Sequence, residues 1–162
     1  MNAVFLWLEA TRLSTWVRES TSVFAFPTIL SFHAVGMGLA VGVNAAIALR
    51  LLGVAARVPP RELRVFARVM WLGFWLNAAS GLLLLIGYPT KALTNPVFYL
   101  KLLLIALGMW LYVVMTRTLE NGGDGVPVGA GFLGAVSLAC WAGAITSGRL
   151  LAYTADRILA TW

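Results

Sequence analysis

Two side chains have the strongest claim to chemistry: the only histidine, His33, and a lysine set inside an apolar run, Lys101. An imidazole can ligate haem iron or copper, or carry a proton in transit. An ammonium beside it could serve as a second axial ligand, or as the partner of a propionate or a quinone oxygen. Few other strongly polar groups fall inside apolar runs: Asn44, Asn77 and Arg149. A charge in hydrocarbon costs at least about 2.5 kcal/mol on insertion scales, so each ionisable group here is a candidate by default. Met37, one turn after His33 on the same face, adds a thioether, and that pair would suit Cu(I), with no third ligand evident. A single histidine excludes a bis-histidine haem within one subunit. The plain structural alternative is a histidine hydrogen-bonded to Asn77 or a serine, and a lysine snorkelling outward.

The elements that must position these groups follow from composition. Of 162 residues, 60% are hydrophobic and 11% charged, and the mean hydropathy of +0.87 is far above that of a water-soluble domain. Four long runs are free, or nearly free, of charge, and each exceeds the roughly 20 residues that a helix needs to cross about 30 Å of hydrocarbon. The alternation of a membrane barrel strand is absent, and lipid leaves the backbone to satisfy its own hydrogen bonds. The expectation is an all-α, integral membrane four-helix bundle in one domain. Its spans should cover residues 21–52, 62–88, 96–119 and 127–151, with a short amphipathic interfacial helix over 2–18.

Arg50, Arg57, Arg61, Arg64 and Arg68 stand against a lone Glu62 between the first two spans. By the positive-inside rule this connection is cytoplasmic and both termini lie outside, in a multi-pass membrane protein. The same rule explains the net charge of +6 without nucleic acid. No basic lead-in precedes Phe5 and no small-residue cleavage site precedes Glu9, so the first span is expected to act as an uncleaved signal. With this topology, His33 lies roughly 16 Å from the outer end of its span at 1.5 Å per residue. Lys101, Asn77 and Arg149 belong to the same outer half or the middle, and the four could converge. Asn44 alone falls in the cytoplasmic half.

Local signals fill in the connections. Glu19-Ser20-Thr21-Ser22 offers capping oxygens to the first span, and Pro27 a kink just before His33. Pro96 suits the first turn of the third span, and residues 121–125 read as a flexible link. Small residues recur at Ala34, Gly38, Gly42 and Ala46, and again at Gly131, Ala135, Ala139, Gly143 and Ser147. Such stripes let helices approach closely, within the bundle first and at a subunit interface second. Cys140, inside the fourth span, can form no intrachain disulfide and reads as a small apolar packer.

Phe26-Pro27-Thr28-Ile29, then His33 and Gly36, closing with Leu49-Arg50-Leu51-Leu52-Gly53, resembles the first span of an uncharacterised bacterial family of small four-helix membrane proteins. Asn95-Pro96, Phe98 and Lys101 resemble the start of that family's third span. More distantly, a first-span histidine with a third-span lysine resembles HemJ-type protoporphyrinogen oxidases and CopD-type copper-resistance domains. The HemJ resemblance implies haem binding at His33 and Lys101.

Together these features predict a redox protein of the inner membrane that binds haem b, with His33 as axial ligand and Lys101 as second ligand or propionate partner. Met37, Asn77 and Arg149 would surround the site, and electrons would pass to quinone or a partner protein. The competing expectation is a non-enzymatic membrane subunit or scaffold, a homo-oligomer or complex component, without cofactor. A metal or small-solute permease component is a third.

Overall fold

The computed structural model describes residues 2–55, 57–59, 62–63, 65–121 and 126–159, without the side chains of 2, 3, 152 and 154–159. Arg61, Arg64 and residues 122–125 of the expected flexible link lie outside the described residues.

The chain is an all-α membrane bundle. Two short helices, α1 (Asn2–Glu9) and α2 (Arg12–Glu19), precede the long α3 (Phe26–Leu51) and α4 (Ala67–Gly87). A short α5 (Pro89–Leu93) leads into α6 (Pro96–Asn121) and α7 (Ala130–Leu159). Among the described residues four helices are long and apolar enough to cross a membrane, the last of them over Ala130–Leu151. Only 17–39% of the most apolar stretch of each span is buried inside the protein, so the remaining apolar faces need lipid as their solvent.

Helix ends follow local chemistry. Asn95 accepts the Val97 N–H on its side-chain oxygen at 3.0 Å, and Pro96 occupies the first turn of α6 as its spacing predicts. Gly53, at φ +82°, takes the left-handed conformation that stops α3, and Arg50 Nε donates to Val58 O at 2.8 Å to fold the following loop back.

Three expectations change. The segment 2–18 is two helices, because Thr11 breaks the run and caps α2 by accepting the Ser14 N–H. Ser20 and Ser22 cap no helix; their hydroxyls accept N–H groups of the intervening turn, and the residue before α3 is Ala25, without a side-chain cap. Pro27 sits in the opening turn of α3, where its missing N–H leaves no helical bond unmade, so it starts the helix in place of kinking it.

The interior divides into two halves. Away from the N terminus Ile47, Met70, Met115, Leu119 and Trp141 are all buried, and a cleft of about 250 Å³ lies beside Ile47, Trp71, Tyr112 and Glu120. At the N-terminal end, α2 lies across the end of α4, with Val17 fully buried against Gly87 and the Ser14 hydroxyl donating to Gly87 O at 3.4 Å. Val4, Leu6 and Trp7 of α1 remain exposed, an apolar edge suited to the membrane interface.

Candidate functional site

His33 lies seven residues after the start of α3, roughly 10 Å along it at 1.5 Å per residue. Ser80 precedes the end of antiparallel α4 by the same number of residues, and Lys101 is five residues into α6. The topology therefore brings three ends to one depth.

The contact between α3 and α4 is built on glycine. A Cβ on Gly36 would stand 2.6 Å from Asn77 N and 2.8 Å from Gly73 O, and one on Gly73 would stand 2.8 Å from Gly36 O. Both positions require glycine because backbone faces backbone. The close approach lets Asn77 Nδ2 donate to His33 O at 2.8 Å. Interhelical hydrogen bonds of this kind contribute about 0.6 kcal/mol on average in membranes.

Of the expected stripe Ala34, Gly38, Gly42 and Ala46, the first three are exposed and Ala46 packs, half-buried, against the core. Gly38 and Gly42 have nothing within 4 Å and face outward; the packing face of α3 is Gly36, Ala40, Val43 and Ile47 instead. On α7 the expected stripe packs at Gly131, against Leu51, at Gly143, against Leu104, and at the buried Ser147, while Ala135 and Ala139 are exposed; Gly134, outside the stripe, packs closest, its added Cβ meeting Ala48 O at 2.7 Å.

The imidazole tautomer follows from its neighbours. His33 Nδ1 is 3.0 Å from Asn77 O and 3.2 Å from Ser80 Oγ. A carbonyl only accepts, and Ser80 spends its own proton on Leu76 O at 2.6 Å, so Nδ1 carries the proton and donates. Nε2 then bears the lone pair and accepts from Lys101 Nζ at 3.3 Å. Lys101 thus turns toward His33 and does not snorkel outward.

These two groups form the floor of a half-open cleft of about 340 Å³, framed by all four spans and α5. Phe26, Leu30, Leu84 and Phe98 give it apolar walls, and Lys91 stands on its boundary. Gly81 and Gly148 lie beside the floor: an added Cβ would be 3.1 Å from His33 Cε1 in the first case and 3.6 Å from Lys101 Nζ in the second.

Of the residues anticipated from sequence, His33, Asn77 and Lys101 come together. Asn77 acts through its backbone carbonyl and by pinning α3, and does not line the cleft. Met37 is half-buried one turn further along α3, and Arg149 is exposed next to Gly148; neither lines the cleft. Sequence reasoning did not single out Ser80, Gly81 or Gly148. The signal for α4 was present as Gly73, Asn77, Ser80 and Gly81, small and polar residues recurring along one helix face. Among the described residues no group of three His, Cys, Asp or Glu could hold a metal ion.

Fold and site together define a polytopic α-helical membrane protein with a histidine–lysine cleft at one end of its bundle. No family model, curated protein or solved structure matches the chain.

Proposed function

We propose that this chain is a bacterial inner-membrane redox protein that binds haem b in the cleft, with His33 Nε2 as axial ligand. The supporting observation is the fixed tautomer. Ligating histidines hold their other ring nitrogen on a carbonyl or carboxylate, as His33 Nδ1 is held on Asn77 O, and present the bare nitrogen to the metal. The apolar walls would exclude water, and the bound haem would supply one-electron chemistry, exchanged with quinone or a membrane partner protein.

The spacing favours one of the two anticipated roles of Lys101. A metal held by Nε2 would take the lone pair that now accepts from Nζ, which would leave the ammonium to pair with a carboxylate. Nζ and Nε2 are 3.3 Å apart, so this arrangement favours Lys101 as a carboxylate partner over a second axial ligand. Its unbranched stem can withdraw to admit a cofactor. The cleft volume lies at the lower end of the roughly 300–1,000 Å³ of small-molecule sites, so a large flat ring would be partly enclosed. The arginine-rich connection supports a cleft on the periplasmic side. The likeness of the His33 and Lys101 positions to HemJ-type proteins agrees with this assignment.

The test is a reduced-minus-oxidised visible spectrum of the purified protein beside His33→Ala. A haem b band lost in the variant is expected. A featureless spectrum from protein made with ample haem would sink the proposal.

A second reading, a homo-oligomeric or complex-forming subunit without cofactor, is favoured by the outward ridge of Gly38 and Gly42, whose open surroundings suit a second helix. Gly42→Leu would then reduce the size of the detergent-solubilised assembly and leave the monomer fold intact. An assembly of unchanged size would remove this reading.

A further inference from the structure

We propose that the cleft is a receptor for an organic anion with an apolar body, its headgroup held on the Lys101 ammonium. This shares the site, but not the cofactor, with the function proposed above. Lys101 is half-buried, and its Nζ makes one hydrogen bond, to the uncharged acceptor His33 Nε2. Among the described residues no Asp or Glu lines the cleft, and the ion pairs belong to Arg18 on α2. An ammonium in apolar surroundings without a counter-ion is an unfinished pair.

The remaining features complete the match. An ammonium has three donors, and His33 uses one. Gly148 keeps the space beside Nζ clear of side chain, and Lys91 adds a second positive group at the cleft boundary. The walls are aliphatic and aromatic, so the body of the ligand is apolar while its head is anionic. Carboxylates and phosphate monoesters share this chemistry, and a carboxylate suits the volume with a single chain.

The experiment is photolabelling of the full-length protein in phosphatidylcholine nanodiscs with a diazirine-bearing dodecanoate, sites being located by peptide mass spectrometry. Labelling should fall on α3, α4 and α6 around the cleft. Unlabelled dodecanoate should compete, and its methyl ester should not. Lys101→Met should lower labelling at least fivefold, and Lys101→Arg should restore most of it. Competition by dodecyl phosphate as strong as by dodecanoate would assign the site to phosphate-bearing lipids of the same class; weak competition would assign it to carboxylates. Equal competition by the methyl ester in the wild-type protein, or undiminished labelling of Lys101→Met, would overturn the proposal. The visible spectrum reads haem and the photolabel reads the anion, so either result can fail while the other stands.

Discussion

Polar side chains occur at two levels inside this bundle, and they are treated in opposite ways. Away from the N terminus, Asn44 of α3 and Ser137 of α7 are both fully buried, with Ser137 Oγ donating to Asn44 Oδ1 at 3.0 Å. Nothing opens onto this pair. In the N-terminal half, His33 and Lys101 are only half-buried and meet on the floor of a cleft. A polar pair sealed in the core fixes which helices touch and at what register. A pair held open keeps hydrogen-bonding capacity for something else. Burial and open space change together: the sealed pair has neither exposure nor room, and the cleft pair has both.

The contrast breaks most completely at the glycines that hold the α3–α4 framework. Gly36→Ala places a methyl group 2.6 Å from Asn77 N, and backbone cannot step aside, so the helices must part. Overpacking of this kind costs about 3 kcal/mol, the upper end of the usual range. Gly38→Ala, two residues away and facing open space, should be nearly neutral. Thermal melting in detergent compares the pair directly, and equal melting temperatures would contradict the packing described.

The sealed pair gives the next largest effect. Ser137→Ala removes the donor to Asn44 Oδ1, leaving an amide whose Nδ2 already has no partner in the fold. The expected loss is about 1–3 kcal/mol, the cost of stranding a buried polar group. Replacing both residues, Asn44→Leu with Ser137→Ala, should recover most of it, because no polar atom then remains to be satisfied. Neither change should alter ligand or cofactor binding at the cleft. A spectral or labelling change in Ser137→Ala would mean that the two levels communicate.

His33→Ala reverses that pattern. The Ser80 hydroxyl keeps Leu76 O, and the Asn77 side chain keeps the His33 backbone carbonyl, so the α3–α4 contact survives. Stability should fall by only about 1 kcal/mol, near the average net value of a hydrogen bond, while any haem absorbance is lost. A large drop in melting temperature would class His33 with Asn44 as a structural residue.

Much of this was legible from sequence for identifiable reasons. Charge-free runs longer than a bilayer announce spans, and a lone histidine and a lone in-span lysine stand out because hydrocarbon penalises them. Rotational phase was not legible. Helix α3 is apolar nearly all round, so no polar face reveals which side turns inward, and the Ala34/Gly38/Gly42 stripe is as regular as the true packing face two residues out of phase. The division at Thr11 was available, since a threonine before a polar turn is a capping signal, but amphipathicity over 2–18 masked it. Proline 27 carried both meanings, kink or start, and the position of the preceding turn decided between them.

The finest test of the open site is Gly81→Ala. The added Cβ would lie 3.1 Å from His33 Cε1, tighter than an ordinary contact but against a side chain and not backbone. The ring can yield by a few tenths of an ångström, so the fold should persist with a cost below about 1 kcal/mol. That displacement acts where the tautomer is set, because a tilted ring lengthens the Nδ1 contact to Asn77 O and redirects Nε2 relative to Lys101. In haem-loaded protein the expected result is a small shift of the Soret maximum and of the midpoint potential, since orientation and outer hydrogen bonding tune a ligating imidazole. Dodecanoate labelling, which depends on Lys101, should change little. An unshifted spectrum in a variant that still binds haem would show that His33 is not the ligand the iron sees.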